Sequence, residues 1–99
     1  MSNSEYKLVW EEQSIIDRGD IYEFLYEYAS IRTADNVDEE IERMAELLSF
    51  NPEMGVVKEG FKGRCLVLKK IPYFIFYCID HELEQVKIMK ILNQKKKNK

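Results

Sequence analysis

A chain of 99 residues that is 45% hydrophobic, with only four Gly and two Pro, can build one packed core, which excludes a second domain and a disordered chain. Its net charge of −3 conceals two unlike halves: residues 1–54 hold 4 Lys or Arg and 14 Asp or Glu, whereas residues 55–99 hold 11 and 4. We interpret the basic half as a surface that meets an acidic macromolecule, nucleic acid included, although ordinary solvated helix and strand faces would give the same count.

The sequence shows no targeting or membrane signal. No segment approaches the roughly 18 uninterrupted apolar residues of a membrane helix, and the first residues, MSNSEYK, lack the apolar and basic regions of a signal peptide. Cys65 and Cys78 lie in apolar runs without a metal-binding spacing, so we expect two free thiols and no metal. The expected location is the cytoplasm, with no membrane partner.

The first predicted elements are a short strand and a helix. Residues 6–10 alternate between apolar and polar, as in a strand, and the Ser-x-x-acid spacing of Ser14 and Asp17 is typical of a helix N-terminus. The following apolar residues recur on one helix face: Ile21, Phe24, Leu25 and Tyr28. These features predict a helix over about 14–30, with a first turn that Gly19 weakens.

A second helix is predicted over about 34–49. Thr33 is its expected N-cap, after a break at Ile31-Arg32, and Asn51-Pro52 ends it. One apolar stripe runs along this helix: Ala34, Val37, Ile41, Met44, Ala45 and Leu48. The stripe predicts which face packs on the rest of the protein.

The rest of the chain reads as β-structure. After a loop with three glycines, the runs 64–70, 73–79 and 85–92 predict three hairpin-linked antiparallel strands, the middle one apolar throughout. The expected fold class is α+β, with an N-terminal strand and a two-helix hairpin packed on an antiparallel sheet of about four strands. Residues 1–92 form the domain, and residues 93–99 are expected to be a flexible basic tail.

Cofactor chemistry is not indicated. The sequence has no phosphate-binding loop, zinc spacing or nucleophile motif, so we expect no cofactor, no metal and no small-molecule substrate. His81, the single histidine, lies in a predicted turn among acidic residues and is interpreted as a solvated loop residue rather than a general base.

Basic residues of the second half are the candidate contacts to a macromolecular target. They are Arg64, Lys69, Lys70, Lys87, Lys90, Lys95, Lys96 and Lys97. Because most lie on neighbouring predicted strands, we expect them to form one anion-facing edge. Tyr73 and Tyr77 between them either stack on bases or pack in the core, and alternation in an apolar strand favours the core.

Several motifs occur in a characteristic order. They are Asp20-Ile21-x-x-Phe24, Ala34 with Ile41, Leu48-x-x-x-Pro52-x-x-Gly55, Gly63-Arg64, Tyr73-x-Ile75-x-Tyr77 and Ile88-x-x-Ile91-Leu92. With these motifs and the predicted order of elements, the chain resembles the RelE/ParE superfamily of bacterial type II toxin–antitoxin toxins. The helices and the Pro-Gly pattern are most similar to the ParE branch.

The resemblance implies two different activities. A ParE-like toxin poisons DNA gyrase by binding it, has no catalytic residues, and is neutralised by a cognate antitoxin. A RelE-like toxin is an endoribonuclease whose partners are the ribosome and messenger RNA, and the matching positions here would be Arg64, Lys69 and Tyr77. Asn93 stands where many family members have a histidine, so the ribonuclease set is incomplete and the gyrase-binding alternative is favoured.

Overall fold

The computed structural model describes residues 5–95. The elements in chain order are β1 (Lys7–Trp10), α1 (Glu12–Tyr28), α2 (Ile31–Phe50), β2 (Val56–Val57), β3 (Arg64–Val67), β4 (Tyr73–Asp80) and β5 (Gln85–Asn93). The strands form one sheet in the order β1-β5-β4-β3-β2, in which β1 runs parallel to β5 and the other neighbours are antiparallel. The predicted α+β fold is confirmed.

The sheet has five strands rather than about four. Val56 and Val57 pair with Cys65 and Arg64 and form a short edge strand within the segment that was predicted as a loop. Two residues are too few for a recognisable alternation, so tertiary pairing rather than local pattern makes this strand. No helix within the described range 5–95 is long and apolar enough to cross a membrane.

The first helix begins earlier than predicted and buries only half of its predicted face. Its N-cap is Glu11, and Ser14 lies inside the helix, fully buried, with its hydroxyl donating to the Glu11 carbonyl at 2.6 Å. Ile21 packs against the core, whereas the side chains of Phe24 and Tyr28 are 58% and 76% exposed. The predicted helix start at Ser14 was therefore wrong, and two residues of the predicted apolar face, Phe24 and Tyr28, are exposed.

The second helix confirms the predicted stripe and corrects the predicted cap. Ser30, not Thr33, is the N-cap, and its hydroxyl accepts the Thr33 backbone N–H at 3.0 Å. A residue whose own N–H is capped lies inside the helix, so α2 begins at Ile31. The stripe residues Ala34, Val37, Ile41, Ala45 and Leu48 are buried, and Met44 packs at the core edge.

The core lies between the helices and one face of the sheet. From β4, Tyr73, Ile75 and Tyr77 enter it, and from β5, Val86, Ile88 and Ile91. Residues that alternate with these point to the other side of the sheet, which we call the open face because neither helix covers it. Phe76 is only 7% exposed although it lies on the open face.

Candidate functional site

A bulge in β5 determines which lysines reach the open face. Tyr77 pairs with Ile88 and Phe76 pairs with Lys90, so Met89 has no partner in β4. Residues three apart in a regular strand, such as 87 and 90, point to opposite faces, but one extra residue between them restores the same side. Lys87 and Lys90 therefore both lie on the open face, opposite Cys78 and Phe76.

Aromatic rings form the centre of the open face. The ring of Phe76 meets the ring of Phe61 edge-on at a centroid distance of 5.2 Å and that of Phe74 at 6.0 Å. The Lys90 ammonium lies 4.9 Å from the Phe76 ring centroid, a cation–π distance. This arrangement covers Phe76 and holds one positive charge close to the sheet surface.

One further lysine, which the sequence pattern did not indicate, lies beside this surface. The Cys78 thiol donates to the Lys62 carbonyl at 3.1 Å. Burial raises the pKa of Cys78, and the nearby charges of Lys62 and Lys87 oppose that rise. Burial likewise raises the pKa of Cys65, against the charge of Lys58. Lys62 lies in a loop, where the sequence gives no register, so only the fold reveals its position beside Cys78, which pairs with Lys87.

Arg64 lies on the other side of the sheet from Lys87 and Lys90. It pairs with Tyr77, whose side chain enters the core, and its guanidinium donates to the Gly55 carbonyl at 2.8 Å. The guanidinium thereby holds the segment before β2 against the sheet. The structure does not bring Arg64 onto the open face, and the predicted single edge is divided between two faces.

Tyr77 is a buried packing residue with a fully used hydroxyl. Its side chain is 0% exposed, and its hydroxyl donates to the Pro52 carbonyl at 2.7 Å and accepts the Gly55 N–H at 2.8 Å. Burial is the main cause of the raised pKa of Tyr77. A Cβ atom at Gly55 would lie 2.8 Å from the hydroxyl, so the close approach requires glycine there.

The remaining predicted contacts lie elsewhere. Lys69 and Lys70 are exposed in the turn between β3 and β4, and Lys95 is exposed just after β5. Lys96 and Lys97 lie outside the described residues.

His81 is exposed, as predicted, and its Nδ1 lies 3.0 Å from the Tyr6 hydroxyl. Among residues 5–95, no group of three or more His, Cys, Asp or Glu side chains is placed to hold a metal ion.

Known proteins share both the sequence pattern and the fold. Residues 8–98 match the profile described as ParE toxin of type II toxin–antitoxin system, parDE. No curated protein matches the chain. Among solved structures, the chromosomal ParDE toxin–antitoxin system of P. aeruginosa aligns with a TM-score of 0.80 at 19% identity, over 90% of this chain and 96% of that one.

Two structures from the RelE branch also align. The toxin–antitoxin complex RelBE2 of Mycobacterium tuberculosis gives a TM-score of 0.63 at 18% identity, over 91% of this chain and 99% of that one. A mutant of the E. coli toxin RelE in the free state gives 0.67 at 14% identity, over 93% and 86%. At these low identities the structural alignments establish a shared fold. The profile match over residues 8–98 establishes the family. The chain belongs to the ParE toxin family of type II toxin–antitoxin systems, within the RelE/ParE superfamily.

Proposed function

We propose that this toxin arrests growth in the cytoplasm by binding DNA gyrase without catalysis, and that a cognate antitoxin neutralises it. The observation that carries the proposal is the chemistry of the open face, where Lys90 lies over the Phe76 ring and Lys87 lies on the same face, opposite Cys78. Such a surface supplies positive charge and apolar area, which favour association with an acidic protein surface. The raised thiol pKa values of Cys65 and Cys78 keep both thiols protonated near neutral pH.

The ribonuclease alternative requires more than cations. Cleavage at a ribose 2′-hydroxyl needs a base, an acid and positive charge for the developing phosphorane. Tyr77 has both hydrogen-bonding positions of its hydroxyl occupied, Arg64 contacts the Gly55 carbonyl, and Lys69 lies in the turn beyond β3. This separation favours the binding toxin over an enzyme that acts on messenger RNA in the ribosome.

Antitoxin binding is supported by the family and by two of the similar structures, which come from a ParDE system and a RelBE2 toxin–antitoxin complex. The other predicted contacts, Lys69, Lys70 and Lys95 to Lys97, are proposed to act as peripheral charges. Exposed lysines steer and hold an acidic partner in a salt-dependent way.

Charge reversal on the open face tests this function. The double variant Lys87→Glu, Lys90→Glu should weaken inhibition of gyrase supercoiling by at least about tenfold, because it places like charges against an acidic surface. The matched control Arg32→Glu, Arg43→Glu makes the same change in net charge on α2 and should leave inhibition unchanged. Thermal unfolding of both variants verifies that they are folded.

A translation-dependent messenger RNA cleavage assay completes the test. The expected result is that purified wild-type protein inhibits supercoiling and leaves ribosome-bound messenger RNA intact. Codon-periodic cleavage by the wild type, without an effect on gyrase, would refute the proposal and assign the chain to the ribonuclease activity. Equal effects of the two double variants on supercoiling would show that the open face is not the binding surface.

A further inference from the structure

The outer side of the two helices, away from the sheet, carries apolar side chains that the rest of the protein does not cover. Ile15, Gly19, Tyr22 and Tyr26 repeat at helical spacing and lie along one line of α1. The side chains of Ile15 and Tyr26 are both 57% exposed. Gly19 and Tyr22 also line a depression of about 670 Å³, with Asp38 of α2. We call this outer side of α1 and α2 the hairpin surface.

Gly19 is an unfavourable residue for the middle of a helix. Glycine there costs about 1 kcal/mol relative to alanine, because its backbone loses more freedom on folding. A Cβ atom at Gly19 would meet nothing within 4 Å, so no neighbour in the described range 5–95 requires glycine. The missing side chain instead leaves the depression open, so that another molecule can approach the α1 backbone closely.

The hairpin surface is acidic. Its carboxylates belong to Glu23, Asp35, Asp38, Glu39, Glu42 and Glu46, and its cations to Arg18, Arg32 and Arg43. Within residues 5–95, the ion pairs join Arg18 to Asp38 and Glu42, and Arg43 to Glu40. Glu23, Glu39 and Glu46 therefore have no cationic partner in the described part of the chain.

The open face, on the opposite side of the sheet, has the complementary chemistry. Lys87 and Lys90 lie there, and β1 adds Lys7 through its pairing with Gln85. Val67, which pairs with Phe74, is 43% exposed on the same face. The two sides of the molecule match in charge and in apolar content, but the sheet and the helices separate them, so one copy cannot bring its own two surfaces together.

We propose that the hairpin surface binds the open face of a second copy of this chain. Lys87 and Lys90 of one copy lie against carboxylates of the next, and an apolar side chain of the open face enters the depression over Gly19. Because the two surfaces differ and lie on opposite sides, each copy binds one neighbour on each side, which gives an open head-to-tail row rather than a closed pair.

Charge favours this arrangement over a symmetric dimer. Two hairpin surfaces would oppose carboxylates, and two open faces would oppose lysines. The net charge of −3 leaves little overall repulsion between copies, so the separation of charge within each copy decides how they associate. A basic segment of the antitoxin is the alternative occupant that the experiment separates.

Sedimentation velocity of the purified full-length toxin tests the proposal. At about 10 mM salt the wild type should form species larger than a dimer as its concentration rises, and at about 500 mM salt it should be monomeric, because exposed charges are then screened. The lysine variant, Lys87→Gln with Lys90→Gln, and the glutamate variant, Glu23→Gln with Glu39→Gln, should each weaken association at least about tenfold.

Mixing the two variants separates a head-to-tail contact from a symmetric one. Each variant retains one intact surface, so an equimolar mixture should form a 1:1 dimer that does not extend, although neither variant associates alone. The control Glu5→Gln with Glu53→Gln makes the same charge change as the glutamate variant, at exposed positions before β1 and after α2, and should alter association less than about threefold.

Gly19→Gln distinguishes association from folding. Glutamine favours a helix over glycine and fills the depression, so the unfolding midpoint should not fall while association weakens at least about fivefold. Wild type that stays monomeric at low salt, a mixture that forms no dimer, or a control that acts like the glutamate variant would each refute the proposal. If wild type stays monomeric and the glutamate variant instead loses calorimetric binding to the purified antitoxin, the hairpin surface belongs to that partner and the proposal is overturned.

Discussion

Replacing Tyr77 by phenylalanine removes a single oxygen atom from the centre of the fold. The hydroxyl joins β4 to the segment between α2 and β2, because it donates to the Pro52 carbonyl and accepts the Gly55 N–H. Arg64 holds the same segment through the Gly55 carbonyl. The substitution keeps the buried ring and its packing, so it isolates the contribution of the two hydrogen bonds.

The magnitude follows from the burial of the two partners. Gly55 is buried, so its N–H is left without a partner, which costs about 1–3 kcal/mol. Pro52 is partly exposed, so its carbonyl regains water and its lost bond costs about 0.5–1.5 kcal/mol. The expected loss is therefore about 1.5–4.5 kcal/mol, which lowers the unfolding midpoint by at least about 6 °C in a domain of this size.

Tyr73→Phe is the matched control. Tyr73 lies on the same strand and is 5% exposed, but within residues 5–95 its hydroxyl makes no side-chain hydrogen bond comparable to those of Tyr77. Its removal should change the free energy of unfolding by less than about 0.5 kcal/mol. Circular dichroism followed during urea and thermal unfolding measures both variants. Equal midpoints would refute the assignment of Tyr77 as the clamp on this segment.

The same variant also bears on activity. At a temperature where Tyr77→Phe is folded, growth arrest should persist, because the hydroxyl contacts backbone atoms in the core rather than a target. Mapping messenger RNA ends on induction distinguishes the two mechanisms. Codon-periodic cleavage by wild type that disappears in this variant would show that the phenol transfers a proton.

Two other changes test local assignments by chemical unfolding. Arg18→Lys should lower the free energy of unfolding by about 1 kcal/mol, because lysine cannot reproduce the paired hydrogen bonds to Asp38 or the stacking on Trp10. The control Arg43→Lys, at an exposed position, should leave the unfolding midpoint unchanged. An equal loss in both would contradict the role given to Arg18. Deletion of Met89 should preserve a cooperative fold, because the residues on either side of this bulge keep their faces in a regular strand. Noncooperative unfolding of the deletion variant would show that the bulge itself is required.

The helices show what apolar periodicity reveals and what it leaves out. Ile41 and Leu48 repeat at helical spacing and are both fully buried, as predicted. Phe24 and Tyr28, four residues apart, also repeat at helical spacing but remain exposed. The pattern identifies an apolar face without identifying what covers it, so a stripe that packs in the core and a stripe that stays exposed look alike in the sequence.

The basic residues show a different limit. Lys87 and Lys90 were predicted as target contacts, but their common face depends on the unpaired Met89, which no local pattern announces. Lys62 comes beside them through a loop that carries no register. Arg64 is turned to the helical side because it pairs with Tyr77, and that pairing is set by the relative alignment of two strands. Residue type was readable from the sequence, whereas the face was decided by tertiary pairing.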